Sequence, residues 1–418
     1  MRDSGYPTTQ TEFIDWYGRL DEPNALDTYY KAFGAITPPA TAAIPILPFV
    51  GDTEYPDDFA PIPDELLVVM KEHLAKNEEA ISLLHKAASI PNCTFPVTDQ
   101  SAGTMLFKID DWPHVRSGID LLRLDAVVSA ENRDAQRAIA SIRAGIALAR
   151  AYMKRPTTSD FIWGDTMLNS AVTPLNRVLY QLEEVDLTPL EEPLRESDYD
   201  GLLERALIGD LFNQVRARDY APTLFDGRAW SLEDATLGER IRYNPLTARA
   251  EYVLGLSKID QIQLLDFGLL LTHIASLPNA ERKRELETAA SRTPLAPLMI
   301  QTFSTAFDIE YGGKARIRIL NTVLAIERYA RATKQLPAGL HELVPGFTNA
   351  VPLDPFDELP LKYRLTDTGY VLYSVGRDME DDGGDGQSML LEGDVVFRRN
   401  MTRPLDRTPN QPLDIPQS

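Results

Sequence analysis

The chain has 418 residues, 44% hydrophobic and 25% charged, with a formal net charge of -20 from 62 acidic and 42 basic side chains. That length exceeds one ordinary domain, and the apolar content is enough to offset chain entropy, so two or more folded units are expected and disorder as the main state is excluded. The acidic balance and the lack of a long Lys/Arg run exclude nucleic acid as a partner, disfavour anionic lipid, and fit metal cations or basic partners.

Residues 1–63 mix short helical patterns with proline-rich loops. Thr11 to Leu20 reads as a short helix with Thr11 as its N-cap and Phe13, Ile14, Trp16 and Tyr17 on its apolar side. Asn24 to Ile36 reads as a second. The stretch from Pro38 to Pro63 is too rich in proline for a central strand and reads as a strap lying across helices. Residues 64–90 read as one strong helix, with Asp64 as N-cap and Leu66, Leu67, Met70, Leu74, Ile81 and Leu84 at helical spacing. Residues 91–113 are loop.

Residues 114–153 form the clearest helical hairpin, turning at Glu131 to Asp134, with small residues such as Ala138, Ala144 and Gly145 that allow close helix approach. The pattern resembles one tetratricopeptide-type unit, but no second copy recurs at a fixed period, which favours a generic αα-hairpin. Further helices are expected at about 160–184, 197–219, 231–241, 248–276 and 279–291. The run at 251–276 is apolar nearly all round and reads as a buried central helix. Residues 1–310 therefore read as one large α-helical domain with a proline-rich strap, or as two that the pattern does not separate.

The signal changes near residue 311. Ala315 to Thr333 is an amphipathic helix with Ile319, Val323, Ile326 and Ala330 in one stripe. After Pro345 the period shortens to that of strands: Leu361, Tyr363 and Leu365; Tyr370 to Val375; and Val395 to Phe397. The first two make a hairpin across Thr366 to Gly369, where Gly369 can take a positive φ. The fold class is thus mostly α, ending in a small α+β module over 311–400 and a flexible tail over 401–418.

The loop between the second and third strands holds Asp378, Glu380, Asp381, Asp382 and Asp385, five carboxylates within eight residues, beside Gly383, Gly384 and Gly386. Calcium takes six to eight oxygen ligands from carboxylates and main-chain carbonyls on a sharply turning backbone, so a cation site is one reading. A solvated acidic turn is the other.

The order of elements is similar to the soluble part of type II secretion major pseudopilins. The matching residues are Leu336-Pro337, Asp354-Pro355 with Phe356, Tyr363, Leu372-Tyr373-Ser374 with Gly376 and Asp378, Gly383-Gly384, and Asp394-Val395. In that family the loop binds calcium. The resemblance implies the Leu372 carbonyl, Ser374, Asp378 and Asp385 as metal ligands, with Asp394 a further candidate. The chain departs from the pattern in three places: Asp357-Glu358 stands for a Gly-Asn turn, Met379 replaces a glycine, and Gln387 to Glu392 looks inserted. No membrane-spanning stretch precedes the helix, so this is no ordinary pseudopilin. The whole layout is also similar to large proteins of planctomycete-type bacteria with such a tail, a likeness that implies no activity.

Catalytic motifs are missing from the remainder. His73, His85, His114, His273 and His341 show no metal-ligand spacing, and neither a nucleophile elbow nor a phosphate-binding loop is present. His273 reads as a hydrogen-bonded core histidine, and Trp16, Tyr17, Tyr29 and Tyr30 as core packing. Asp198, Asp200, Glu204 and Asp210 read as a solvated helix face. Cys93 is the only cysteine, so no internal disulfide or Cys-rich zinc site forms. No run of 18 apolar residues exists to span a bilayer. The chain enters polar loop sequence directly after Met1, which points to an N-terminal anchor or signal once preceding it. The envelope or periplasm is then the expected compartment, and the cytoplasm otherwise.

These features favour a non-enzymatic cell-envelope structural or interaction protein with a calcium-stabilised module, engaging a protein partner or itself. The alternative is a hydrolase or other enzyme with an unrecognised site in the helical domain.

Overall fold

The computed structural model describes residues 6–18, 23–55, 58–96, 111–182, 185–194, 199–224, parts of 266–288, 296–385 and 393–401. Within these the chain is mostly helical, with one small antiparallel sheet near its C-terminal end. No helix among the described residues is long and apolar enough to cross a membrane.

Helix α1 (Gln10–Tyr17) has its N-cap at Thr9, two residues before the expected N-cap at Thr11, because Thr9 and Glu12 form a reciprocal capping box. Helix α2 (Leu26–Ala35) buries Leu26, Tyr29, Ala32 and Phe33 on one face. The expected single helix over 64–90 is two, α3 (Asp64–Lys76) and α4 (Glu78–Ala88). Asn77 separates them: its buried amide donates to the Thr37 and His73 carbonyls and accepts from the Thr37 N–H. A side chain that serves the strap's backbone in this way fixes the chain crossing and interrupts the helix.

Helices α5 (Asp111–Glu131) and α6 (Ala135–Met153) form the expected hairpin. A second expected helix, over 160–184, is also divided, into α7 (Thr158–Val172) and α8 (Pro174–Gln181). Pro174 is the cause, since it has no N–H to continue α7 and is well placed in the first turn of a new helix. Helix α9 (Leu202–Leu224) follows. The expected helix at 231–241 and most of that at 248–276 lie outside the described residues. Residues 268–275 are helical, but His273 is exposed there and not a core histidine, since the turn buries Leu271, Thr272 and Ile274 instead.

The last helix, α10 (Ala296–Thr333), is 38 residues long and contains position 311. Three strands then form the sheet in the order β1 (Lys362–Thr366), β2 (Gly369–Ser374) and β3 (Val395–Asn400), all antiparallel. The hairpin turns across Thr366 to Gly369 as expected, with these two residues paired at its base. Gly369 is not at positive φ; it is needed because a Cβ there would stand 2.0 Å from the Arg399 carbonyl oxygen.

One apolar core runs from Leu26 on α2 through α3–α9 and α10 to Tyr370 and Leu372 on β2. The aromatic residues near the N-terminus do not share one cluster. Tyr29 belongs to that core, Tyr17 packs with Phe13 and Phe212 in a separate one, and Tyr30 is exposed. Two buried cations tie irregular segments to the helices. Arg177 on α8 is 0% exposed, pairs with Glu131 at 2.7 Å, and donates to the Asp58 and Ala60 carbonyls of the strap. Arg399 on β3 reaches Glu327 on α10 at 3.1 Å and the Leu179 carbonyl on α8 at 2.8 Å.

Candidate functional site

Strand β2 is buried along its whole length, so the loop that leaves it starts from a fixed point. Asp354 anchors that point. Its wholly buried carboxylate accepts from the Phe356 N–H, the Ser374 hydroxyl and the Val375 N–H, at 2.9, 2.8 and 2.8 Å. Burial raises its pKa above the usual carboxylate value, and these three donors offset only part of the rise. The Asp354-Pro355 pair was legible in the sequence as a motif, but its role as the hub beneath the loop was not.

Three carboxylates close the loop. Asp378 accepts from the Glu380 N–H at 3.1 Å and from the Gly393 N–H at 3.2 Å, so it joins the start of the loop to its end. Asp381 accepts from the Gly383 N–H at 3.0 Å and the Tyr373 hydroxyl at 2.9 Å, and these bonds hold its pKa below the usual carboxylate range. Asp394 accepts from the Gly384 N–H at 2.7 Å through Oδ2. Gly376 allows the two ends to meet, since a Cβ there would stand 2.1 Å from the Gly393 carbonyl oxygen.

Asp394 is unusual among them. It is 2% exposed, and its Oδ1 has no hydrogen-bond donor among the described residues. Desolvation raises its pKa first; the Gly384 and Asp382 amides lower it, and the charges of Asp382 and Asp381 raise it again. A covered carboxylate with one bare oxygen, close to two further carboxylates, carries negative potential that these amides only partly offset.

The four ligands implied by the resemblance sit in different surroundings. Leu372 lies inside the ladder opposite Tyr363 and Phe397, and the Ser374 hydroxyl points down to Asp354. Asp385 is turned to solvent, its side chain 93% exposed and 3.8 Å from Arg398. Only Asp378 sits at the closure, near Asp394. Among the described residues no group of three or more His, Cys, Asp or Glu side chains is placed to hold a metal ion. A cation here would draw on Asp394 together with main-chain oxygens and water, a mixture that calcium accepts.

A second constellation bears on the enzyme alternative. Ser141 on α6 donates to Asp125 on α5, and its Oγ lies 2.8 Å from His85 Nε2 on α4. A hydrolytic triad needs histidine between serine and carboxylate, so that the imidazole takes the hydroxyl proton. Here serine is the middle member, is fully buried, and gives its proton to a carboxylate already paired with Arg137 at 2.8 Å. The arrangement ties three helices together. Its members are scattered along the sequence with no motif, so sequence reasoning could not find it.

The carboxylates expected on a solvated face also have partners. Asp210 is half-buried on α9 and accepts from the Thr158 N–H and hydroxyl at the start of α7. Glu204 accepts from Tyr6, and Asp200 pairs with Lys314 on α10 at 3.1 Å. Asp198 lies outside the described residues. The close fit of α9 against the segment before α7 brings Asp210 inward, which a helical-face pattern does not reveal.

Comparison with protein-family models, with curated proteins and with solved structures gives no match.

Proposed function

We propose that this is a non-catalytic structural protein: a helical body carrying a pseudopilin-like module whose β2–β3 loop holds a divalent cation, calcium by its chemistry. The observation that carries this reading is the covered Asp394 carboxylate with its bare Oδ1, set beside Asp381 and Asp382. Carboxylate side chains and sharp turns at Gly376, Gly383 and Gly384 favour a hard cation over zinc or copper. A backbone detail supports the likeness. Glu358 and Met379 stand where the resembled loop has Asn and Gly, and both have φ of 60°. That left-handed conformation suits Asn and Gly and is costly for other residues.

On this reading the protein works by assembling, with itself or with a protein partner, and its place is the cell envelope. The test is calorimetric titration and thermal unfolding of the full chain after chelation. Calcium at about a hundred times its dissociation constant stabilises by roughly 2.7 kcal/mol, while magnesium at equal concentration gives less. Asp394→Asn and, independently, Asp378→Asn should remove the calcium effect, and Asp385→Asn should leave it. No heat and no change in unfolding temperature at millimolar calcium would sink the proposal.

A further inference from the structure

The loop does not end at the cation reading, because β3 begins directly after Asp394. Val395 pairs with Ser374 and Asn400 with Gly369, so β3 lies in register along the whole of β2. Its far end carries Arg399, whose side chain is nearly covered. The guanidinium donates to Glu327 on α10 and to the Leu179 carbonyl in the last turn of α8. Glu327, also buried, accepts in addition from the Tyr370 hydroxyl at 3.3 Å. A cation at the carbonyl end of a helix is favourable both as a hydrogen bond and against the helix dipole. One strand, ~17 Å long from Asp394 to Arg399 at the usual rise, thus connects the acidic loop to the helical body.

Register makes this connection all-or-none. A slip of one residue would turn Arg399 to the opposite face of the sheet, away from Glu327 and α8. The start of β3 is held by the contact of Gly393 with Gly376 and by the Asp378 and Asp394 carboxylates. Those are the groups that a cation would fix in place and that mutual repulsion would otherwise spread apart.

We propose that cation binding at Asp394 is coupled through β3 to the seating of Arg399 between α8 and α10, so that cation loss releases the sheet from the C-terminal turn of α8. This rests on the cation reading of the loop given above. A seated sheet covers Glu327, Tyr370 and the end of α8; a released sheet uncovers them, and attachment of the module becomes a function of calcium.

The experiment is hydrogen exchange of the full chain in calcium chloride against chelator, together with calcium titration of wild type and Arg399→Gln. Calcium should slow exchange in the 174–182 segment and around residue 327 by about tenfold, within the range usual for coupled sites. Because coupling of binding equilibria is reciprocal, Arg399→Gln should weaken calcium binding by the same factor. Tyr370→Phe, which keeps the core and deletes one hydroxyl, should give a smaller change of the same sign. Calcium binding with slowing confined to 376–394, and an unchanged affinity in Arg399→Gln, would overturn the coupling and leave the cation site standing. A wild type that binds no calcium overturns both.

Discussion

Asp210 offers a quantitative test of the helical body. Burial is the largest influence on it and raises its pKa from 3.8 to about 6, with the nearby Asp160 charge adding to the rise and the two Thr158 bonds opposing it. A raised carboxyl pKa means that the folded state binds the proton more tightly than the unfolded chain does. The associated stability is therefore complete below the unfolded value, and it is lost as pH rises through the folded value. The full shift corresponds to about 3 kcal/mol, and about 1.4 kcal/mol of it falls between about pH 5 and pH 7.5. Asp210→Asn keeps an oxygen for the Thr158 donors but cannot ionise. Its stability relative to wild type should rise by about 1.4 kcal/mol over that interval, read from urea midpoints at several pH values. Taking the difference between the two proteins cancels the titration of all other groups. If the two stability curves run parallel from about pH 5 to pH 7.5, Asp210 titrates normally and the argument from its burial is wrong.

Three further outcomes are expected. Arg177→Ala leaves Glu131 buried without its cation and should cost about 3–5 kcal/mol in urea unfolding, whereas Arg177→Met with Glu131→Met should recover most of the loss. Met379→Gly should stabilise by about 1 kcal/mol in thermal unfolding, because residue 379 is exposed and left-handed, with φ of 60°; a loss of stability would contradict the backbone described there. The Cys93 thiol, pushed up to about 12 by burial, should stay unreactive towards a thiol-disulfide reagent at mildly alkaline pH until the chain is unfolded, and rapid labelling of the native protein would show otherwise.

Periodicity made much of this fold legible, and its failures have identifiable causes. The α5–α6 hairpin and the three strands follow from apolar spacing alone. The breaks at Asn77 and Pro174 did not register, because apolar residues continue at helical spacing on both sides of each. Pro174 carried a local warning, while Asn77 acts through a contact with Thr37 that no local pattern encodes. Within the acidic loop, composition marked the segment rich in carboxylates but not the most deeply buried of them. Five acidic residues between 378 and 385 draw the eye, yet the covered carboxylate with a bare oxygen is Asp394, beyond them in sequence. Burial separates these residues, and burial depends on how β3 returns to β2. Asp354 was overlooked as a hub for a similar reason: its partners Ser374 and Val375 arrive from a distant strand.

The two glycines that bracket β2 have a use in tracing ancestry. At Gly369 and Gly376 the facing carbonyls of Arg399 and Gly393 leave no room for even a methyl group. Descendants of this sequence are free to trade acidic residues, lengthen the loop or recolour the helical surface. They are not free at these two positions without parting β3 from β2. A glycine pair seven positions apart, flanking a run made up mostly of apolar and aromatic residues, is therefore the pattern by which a chain with the same β2–β3 contact is to be sought.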